Sequence, residues 1–308
     1  MFLASVSRAL VIGLAASFCA SCAGTQPLGT GFQTDRSSPP GTKGKSWMLP
    51  EARQHTLLYI STAVAGVYVF DYPSRQIVGI LNDASSPEGL CSDSAGNVFV
   101  TDSYGRQILE YSHGGNSPIR TLKGAAGPID CAVDPKTGGL AVASETSAIY
   151  LFEKGRRWSR KYVNDPGASF WFCTYDSRGN LFAPTDLYGE SVVSELPRGA
   201  SSFTNIKLSK PIGLEGIQSH DGYLVAGDGK NSNIYQVRVS NSIAEIVHTT
   251  RLAGSTATRQ FTFYRDKLIS PDPASDFAGI WNYPAGGKPV LKIDGIPGEP
   301  IGSTISEP

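Results

Sequence analysis

The 308-residue sequence predicts an all-β fold: a six-bladed β-propeller with four-stranded blades, its ring closed by the C-terminal strand. Three observations carry that prediction. A motif of the form Ile/Val-x-x-Tyr/Phe-Pro, with its last positions relaxed, recurs as Val69-Phe70-Asp71-Tyr72-Pro73, Ile108-Leu109-Glu110-Tyr111, Ile149-Tyr150-Leu151-Phe152, Val193-Ser194-Glu195-Leu196-Pro197, Ile234-Tyr235-Gln236-Val237 and Ile280-Trp281-Asn282-Tyr283-Pro284. The first residues of these six copies step by 39, 41, 44, 41 and 46, inside the window of about 40 to 50 residues that propeller blades occupy. The segments between copies alternate apolar with polar residues and are cut by glycine-containing turns about every ten residues, which is strand and hairpin patterning rather than helical. Composition agrees, with 34 Gly, 20 Pro, 13 Tyr and 13 Phe against only 2 Met, the balance of many short strands and many turns.

The N-terminal 24 residues, MFLASVSRALVIGLAASFCASCAG, place Arg8 before an apolar run from Ala9 to Ala20 and small residues around Cys22. That is the layout of an export signal, and the run is too short for the roughly 20 apolar residues that cross a bilayer. Cys19-Ala20-Ser21-Cys22 resembles the bacterial lipoprotein cleavage box, with Cys19 where that box usually has Leu. The resemblance implies a signal peptide over 1–22, lipid on Cys22, and a membrane-anchored lipoprotein of the bacterial cell envelope, periplasmic or on the outer surface. Plain secretion after a small residue such as Ala23 is the alternative. Residues 23–52, rich in Gly, Ser, Thr and Pro, lack the apolar content for a core and are expected to be a flexible tether. The propeller then occupies 53–308.

The second unit shows the blade most clearly. Pro87-Glu88-Gly89-Leu90-Cys91-Ser92-Asp93 opens it, Ser94-Ala95-Gly96 turns it, and Asn97-Val98-Phe99-Val100-Thr101 returns. A loop with Asp102 and Gly105 leads to Ile108–Tyr111, and His113-Gly114-Gly115 turns into Ile119–Leu122. A blade exposes two apolar faces that only neighbouring blades can cover. The first unit, near Leu57-Leu58-Tyr59-Ile60, lacks an opening strand, while Pro300–Ile305 is a strand without a blade. Residues 300–306 are therefore expected to be the innermost strand of the first blade, which removes an exposed sheet edge. Five or seven blades follow only if the weak fourth or sixth unit is misassigned. Cys91, Cys131 and Cys173 fall at one place in successive units. All three are expected to be buried thiols, because equivalent positions on neighbouring blades are expected to exceed the Cα separation of about 7 Å that a bridge can span.

The run Pro87-Glu88-Gly89-Leu90…Asp93…Gly96-Asn97-Val98-Phe99-Val100-Thr101-Asp102 is echoed by Pro128…Asp134, by Asp176…Gly179-Asn180-Leu181-Phe182 and by Leu214-Glu215-Gly216-Ile217…Asp221-Gly222. On these residues the chain, from about 57 to 306, resembles the NHL-repeat propellers and their six-bladed relatives, the gluconolactonase and senescence-marker-protein family. That resemblance is specific for architecture and weak for function, since such propellers include lactonases, lyases and binding modules. In the lactonase-like relatives a divalent metal near the channel takes ligands from the residue after Pro in several inner strands. Those positions are here Ile301, Glu88, Ile129, Trp171, Glu215 and Arg259, with Asp130 one residue out of register. Two carboxylates from opposite blades fall short of the six to eight oxygens that Ca²⁺ prefers. No metal or cofactor is therefore expected. The alternative is an exported metal-dependent lactonase, hydrolase or lyase with Glu88, Asp130 and Glu215 holding Ca²⁺ or Zn²⁺.

No other catalytic constellation stands out. His55, His113, His220 and His248 are scattered without a zinc spacing, and there is neither a Gly-x-Ser-x-Gly elbow nor a phosphate loop. A net charge of zero, from 27 basic and 27 acidic residues, gives no attraction for a polyanion, so nucleic acid is not an expected partner. The loops between second and third strands, carrying Asp102, Asp186, Asp228 and Asp272 with Tyr104, Tyr188 and Asn231 nearby, should lie on the face where the inner strands begin. Candidate binding residues at that channel mouth are Glu88, Asp102, Asp130, Trp171, Glu215, Asp228 and Arg259. Trp171 is suited to stacking on a sugar, with half-buried packing as the favoured alternative, and each loop Asp by itself is better read as bonding its own turn. The expected function is a binding or scaffolding module for a protein or glycan, attached to the membrane through its N-terminal lipid only.

Overall fold

The computed structural model describes residues 44–157, 159–163, 168–187, 190–240 and 242–308, and all of them belong to one compact unit, Lys43–Pro308. Cys22 and Tyr188 lie outside the described residues. The unit is an all-β propeller, its strands ordered radially as antiparallel blades. The second blade runs outward through Pro87–Ser92, Val98–Asp102, Gln107–Tyr111 and Arg120–Lys123, and the third through Pro128–Val133, Leu140–Ser144, Ala148–Phe152 and Ser159–Val163. The sixth runs through Thr262–Tyr264, Lys267–Asp272, Phe277–Asn282 and Leu291–Asp294. All six copies of the recurring motif lie on third strands, and their first residues, Val69, Ile108, Ile149, Val193, Ile234 and Ile280, are at most 1% exposed. The motif is periodic because every blade needs an apolar anchor at the same radius.

Six apolar clusters hold the described blades together, one at each junction. Leu90 and Val100 pack against Tyr59 and Val69 between the first and second blades. Phe99 and Ile108 pack against Val142 and Tyr150 between the second and third. The sixth blade closes on the first through Ile269, Ala278 and Ile280 against Leu58, Ile60 and Phe70. The ring is thus completed by side chains and by backbone, since Pro300–Ser306 pairs antiparallel with Leu57–Thr62 as the innermost strand of the first blade.

The fourth and fifth blades depart from the regular plan. The inner strand of the fourth is split into Ala168–Phe170 and Thr174–Tyr175, both pairing with Leu181–Leu187, with Trp171-Phe172-Cys173 in the gap. The outer strand of that blade, Thr204–Leu208, pairs parallel with the outer strand of the fifth, Ile243–Arg251, which merges the two blades into one sheet of nine strands. Pairing these two edges satisfies backbone groups that an open propeller rim would leave to water.

Two expectations from sequence need correction. The packed domain begins before residue 53: Trp47–Met48 adds a fifth strand to the rim of the first blade by pairing with Ile77–Leu81, and Ala52 in the 3-10 helix Pro50–Gln54 is fully buried. The polar composition of 23–52 masked a short anchoring segment that contributes backbone pairing at Trp47–Met48, packing of Met48 and Ala52, and Ser46 Oγ, which donates to Asp83 and accepts the Asn82 amide. The second correction concerns the cysteines. Cys91 and Cys131 form a disulfide with a Cα separation of 5.7 Å, and only Cys173 is a buried free thiol. Inner strands of adjacent blades converge on the channel axis, so equivalent positions there come within bridging range although they diverge further out. The bridge spans 40 residues of sequence, and closing a loop of that length in the unfolded chain is worth about 2 to 4 kcal/mol.

Candidate functional site

The opening strands end in a turn whose chemistry explains the Asp-x-x-Gly-Asn pattern. Asp93 Oδ1 accepts the amides of Ala95 and Asn97 at 2.9 and 2.8 Å, and its Oδ2 accepts Asn97 Nδ2 at 2.9 Å. Asp176 repeats this with Arg178 and Asn180. Gly96 and Gly179 supply the positive φ, 77° and 87°, that such a turn requires. These residues build the blade and stand away from the channel mouth.

At the mouth, a cavity of about 770 Å³ is lined by residues from all six blades. Each position after the opening Pro contributes: Ile301, Glu88, Ile129, Trp171, Glu215 and Arg259 all face it, in blade order. The loops between second and third strands bring Ser103, Glu145, Asp186 and Asp228 to the same space. The register predicted from the repeats therefore converges geometrically, because a residue at one height on each inner strand points to one point on the axis.

The charges divide unevenly around this cavity. Arg259 Nε lies 3.9 Å from Glu215 Oε2, and Glu215 itself packs over Gly229, where a Cβ would collide with its carboxylate. Burial pushes the Glu215 carboxyl above its ordinary range, with Arg259 and Lys230 pulling it back and Asp228 adding to the rise. Asp228 is committed to its own loop, accepting the Lys230 amide at 3.0 Å, Asn231 Nδ2 at 2.8 Å and the Tyr235 hydroxyl at 3.0 Å. Burial opposes its charge, but these bonds outweigh it and hold the carboxyl below the usual range. Across the mouth, Glu88 accepts only a long bond, 3.4 Å, from Ser103 Oγ. Its carboxyl is raised by burial and by the nearby Glu145, while Ser103 and Arg259 act the other way. Trp171 is 52% exposed here, with Phe172 buried beneath it.

Two of the seven candidate residues do not line the cavity. Asp102 is fully buried and closes its own loop, accepting the Ser86 and Gly105 amides at 2.9 and 3.0 Å and Gln107 Nε2 at 3.0 Å. Burial alone would raise its carboxyl, yet those donors bring it below the usual range. Asp130 is 1% exposed and sits one residue deeper than the lining positions, accepting the Cys173 amide at 3.0 Å and a bond from Gln260 Nε2. Burial pushes its carboxyl up to about 7 against the pull of those donors. The trio Glu88, Asp130 and Glu215 is thus not assembled, and among the described residues no group of three or more His, Cys, Asp or Glu side chains is placed to hold a metal ion. The reason is register: side chains alternate along a strand, so a one-residue offset turns Asp130 away from the lining positions.

Sequence reasoning missed this deeper layer. In blade order its positions are Gly302, Gly89, Asp130, Phe172, Gly216 and Gln260, each next in sequence to a lining residue. Gln260 is 2% exposed and staples three neighbours: Oε1 accepts the amides of Leu90 and Ser303, both at 3.0 Å, and Nε2 donates to Leu90 O at 2.8 Å and to Asp130. The glycines make room for it. A Cβ on Gly89 would meet Asp130, one on Gly302 would meet Gln260 Oε1, and one on Gly216 would meet the Arg259 carbonyl. The Pro-x-Gly signature that marks these strands is therefore explained by crowding at the axis. Below the layer, Leu90, Cys91, Cys131 and Ser303 line a recess of about 220 Å³. Glu145 and Lys230 were also missed: the Glu145 loop lacks the Asp that marks most of the equivalent loops, and Lys230 stands at a loop position that does not recur.

No protein-family model and no curated protein matches the chain. Solved structures do match. A chain in a crystal structure of a nidogen/laminin complex superposes with a TM-score of 0.64 at 15% identity, over 82% of this chain and 98% of that one. A protein of unknown function from Bacteroides caccae matches with a TM-score of 0.63 at 14% identity, over 82% of this chain and all of the other. The propeller domain of Cps50 (Swd1) from Myceliophteria thermophila matches with a TM-score of 0.58 at 12% identity, over 82% and 86%. These likenesses are of fold, and identify the six blades described above with β-propeller architecture.

Proposed function

We propose that the chain is a cell-envelope lipoprotein whose six-bladed, NHL-like propeller is a binding or scaffolding module for a protein or glycan. One observation carries the binding assignment: the cavity of about 770 Å³ at the channel mouth, to which every blade contributes a side chain. Its size is that of a ligand site, and polar groups converging on a concave, partly apolar wall are what recognition requires. The exposed indole of Trp171 supplies a flat contact surface at that wall. The similarity to a chain in a nidogen/laminin complex supports the idea that such a ring can serve as a docking module. Export is supported by the Cys91–Cys131 disulfide, since such bonds persist in oxidising compartments. The lipid anchor rests on the sequence around Cys22, and intact mass of membrane-extracted protein is expected to begin at Cys22 with added acyl mass. A product beginning at Gly24 or later would remove the anchor from this reading.

The competing hydrolase reading is tested by metal. Ca²⁺ or Zn²⁺ added to chelated protein is expected to leave its melting temperature unchanged, and Glu88→Gln with Glu215→Gln is expected to cost no more than about 1 kcal/mol, since both carboxylates are half-buried and neither has a close ion pair. A resident ion would instead stabilise the fold by about 2.7 kcal/mol at a hundredfold excess over its dissociation constant. Such a gain, lost in the double variant, would replace the binding module with a metal-dependent enzyme.

A further inference from the structure

The cavity at the channel mouth has a charge asymmetry that the whole chain lacks. The chain is neutral, yet Glu88, Glu145, Asp186, Glu215 and Asp228 line this one space against only two cations, Lys230 and Arg259. Both cations stand on the side of the fifth and sixth blades, beside Glu215 and Asp228, although Arg259 also acts on Glu88, more strongly than Glu145 does. The opposite side is different. Neither Glu88 nor Glu145 forms an ion pair within 4 Å among the described residues, both line the cavity, and Glu145 is close enough to resist the ionisation of Glu88. Glu145 is also held in place: its amide donates to Gly127 O at 3.1 Å, and its carboxylate occupies the space that a Cβ on Gly127 would fill. Ile129 and the exposed indole of Trp171 line the same cavity. Two like charges facing a partly enclosed space beside an aromatic face are the complement of a cation, which relieves the repulsion and is drawn to the ring quadrupole.

We infer that this cavity takes a compact organic cation, an ammonium or guanidinium group on an apolar stem, with its charge between Glu88 and Glu145 and its stem against Trp171. The inference deepens the binding-module assignment and rests on it. Arg259 acts as the built-in competitor: its guanidinium lies beside Glu215 and also favours the charged form of Glu88, so its removal frees negative charge for the ligand. A free amine and a Lys or Arg side chain of a protein partner carry the same group. An anion would meet the carboxylates first, and a neutral ligand would leave the repulsion in place.

The test uses the full chain and four probes, followed by calorimetry and by the ligand-induced change in indole fluorescence that Trp171→Phe should remove. The probes are n-butylammonium, n-butylguanidinium, an N-acetylated, C-amidated Gly-Arg-Gly tripeptide, and neutral N-butylacetamide. The two small cations are expected to bind at least tenfold more tightly than the neutral amide. Glu88→Gln and Glu145→Gln should each weaken them about tenfold, and Arg259→Ala should strengthen them. Tighter binding of the tripeptide than of butylguanidinium assigns the cation to a protein partner, and the reverse order assigns it to a free amine. Equal binding of cations and amide, or cation binding unaffected by both Gln variants, overturns the inference. In that case a neutral oligosaccharide that perturbs Trp171 would leave the binding module standing, whereas metal-dependent stabilisation would remove both.

Discussion

Deleting residues 299–308 is expected to abolish cooperative folding of the propeller at moderate temperature. Pro300–Ser306 is buried along its whole length and pairs with Leu57–Thr62, whose residues are themselves fully buried. Its removal exposes Leu57, Leu58, Tyr59 and Ile60, and each large side chain returned to water costs about 1.5 to 3 kcal/mol. The strand also ties the first blade to both neighbours. Ser92 Oγ donates to Ile305 O at 2.7 Å, Ser306 Oγ donates to Gly96 O at 2.6 Å and lies 2.6 Å from His113 Nδ1, and Ser303 Oγ donates to Ile269 O at 3.3 Å. These losses together are of the same size as the roughly 5 to 15 kcal/mol that separates a native domain from its unfolded chain. Thermal unfolding followed by circular dichroism should show no sharp transition. A truncated chain melting within a few degrees of the full one would mean that closure is carried by the side-chain cluster between the sixth and first blades alone.

Gln260→Leu is expected to destabilise the fold by about 3 to 5 kcal/mol, because it removes four hydrogen bonds made by one buried side chain at the axis. The change removes the side-chain partner of the buried Leu90 and Ser303 amides and of the Leu90 carbonyl, and leaves the Asp130 carboxyl with its backbone donors alone; each buried group left unpaired costs about 1 to 3 kcal/mol. The same site makes a pH dependence. The Asp130 carboxyl is raised from 3.8 to about 7 by burial, so the unfolded chain loses this proton first as pH rises. The stability it contributes is therefore complete below about pH 4 and is lost as pH climbs to about 7, a change of order 4 kcal/mol. Cys173, whose thiol is pushed up by burial and by Asp130, stays neutral throughout that window. Asp130→Asn should flatten the slope, and the difference between variant and parent in urea unfolding at pH 4 and pH 8 isolates this residue from Glu88, Glu195 and Glu215, which burial also raises. Parallel pH profiles for the two proteins would show that Asp130 is not the group responsible, and a Gln260→Leu protein within 1 kcal/mol of the parent would show that the axial layer is not a staple.

The two results would bear on function through one geometry. The layer that Gln260 and Asp130 close lies directly beneath the residues that line the cavity, so loosening it lets the inner strands shift relative to one another. Binding at the mouth is expected to be sensitive to the axis even though neither residue lines the cavity. The positions that recognise a ligand and the positions that hold the ring alternate along the same strands.

How much of this was legible in the sequence follows from what repeats. Fold and blade count are written into every unit, so the third-strand anchors recur six times and glycine turns recur in most blades, and the unpaired strand at Pro300 stood out against that pattern. The same register named Glu88, Ile129, Trp171, Glu215, Arg259 and Ile301 as neighbours at the mouth, because a repeat position is also a height on the axis. What differs between blades could not be obtained that way. The disulfide depends on how closely two inner strands converge, the burial of Asp130 depends on a one-residue offset, and the pairing of Asp130 with Gln260 joins residues 130 apart in sequence. Local pattern determines which element a residue joins and which face it takes. Only the closed ring decides the distances across its axis, because those are set by six blades packing at once.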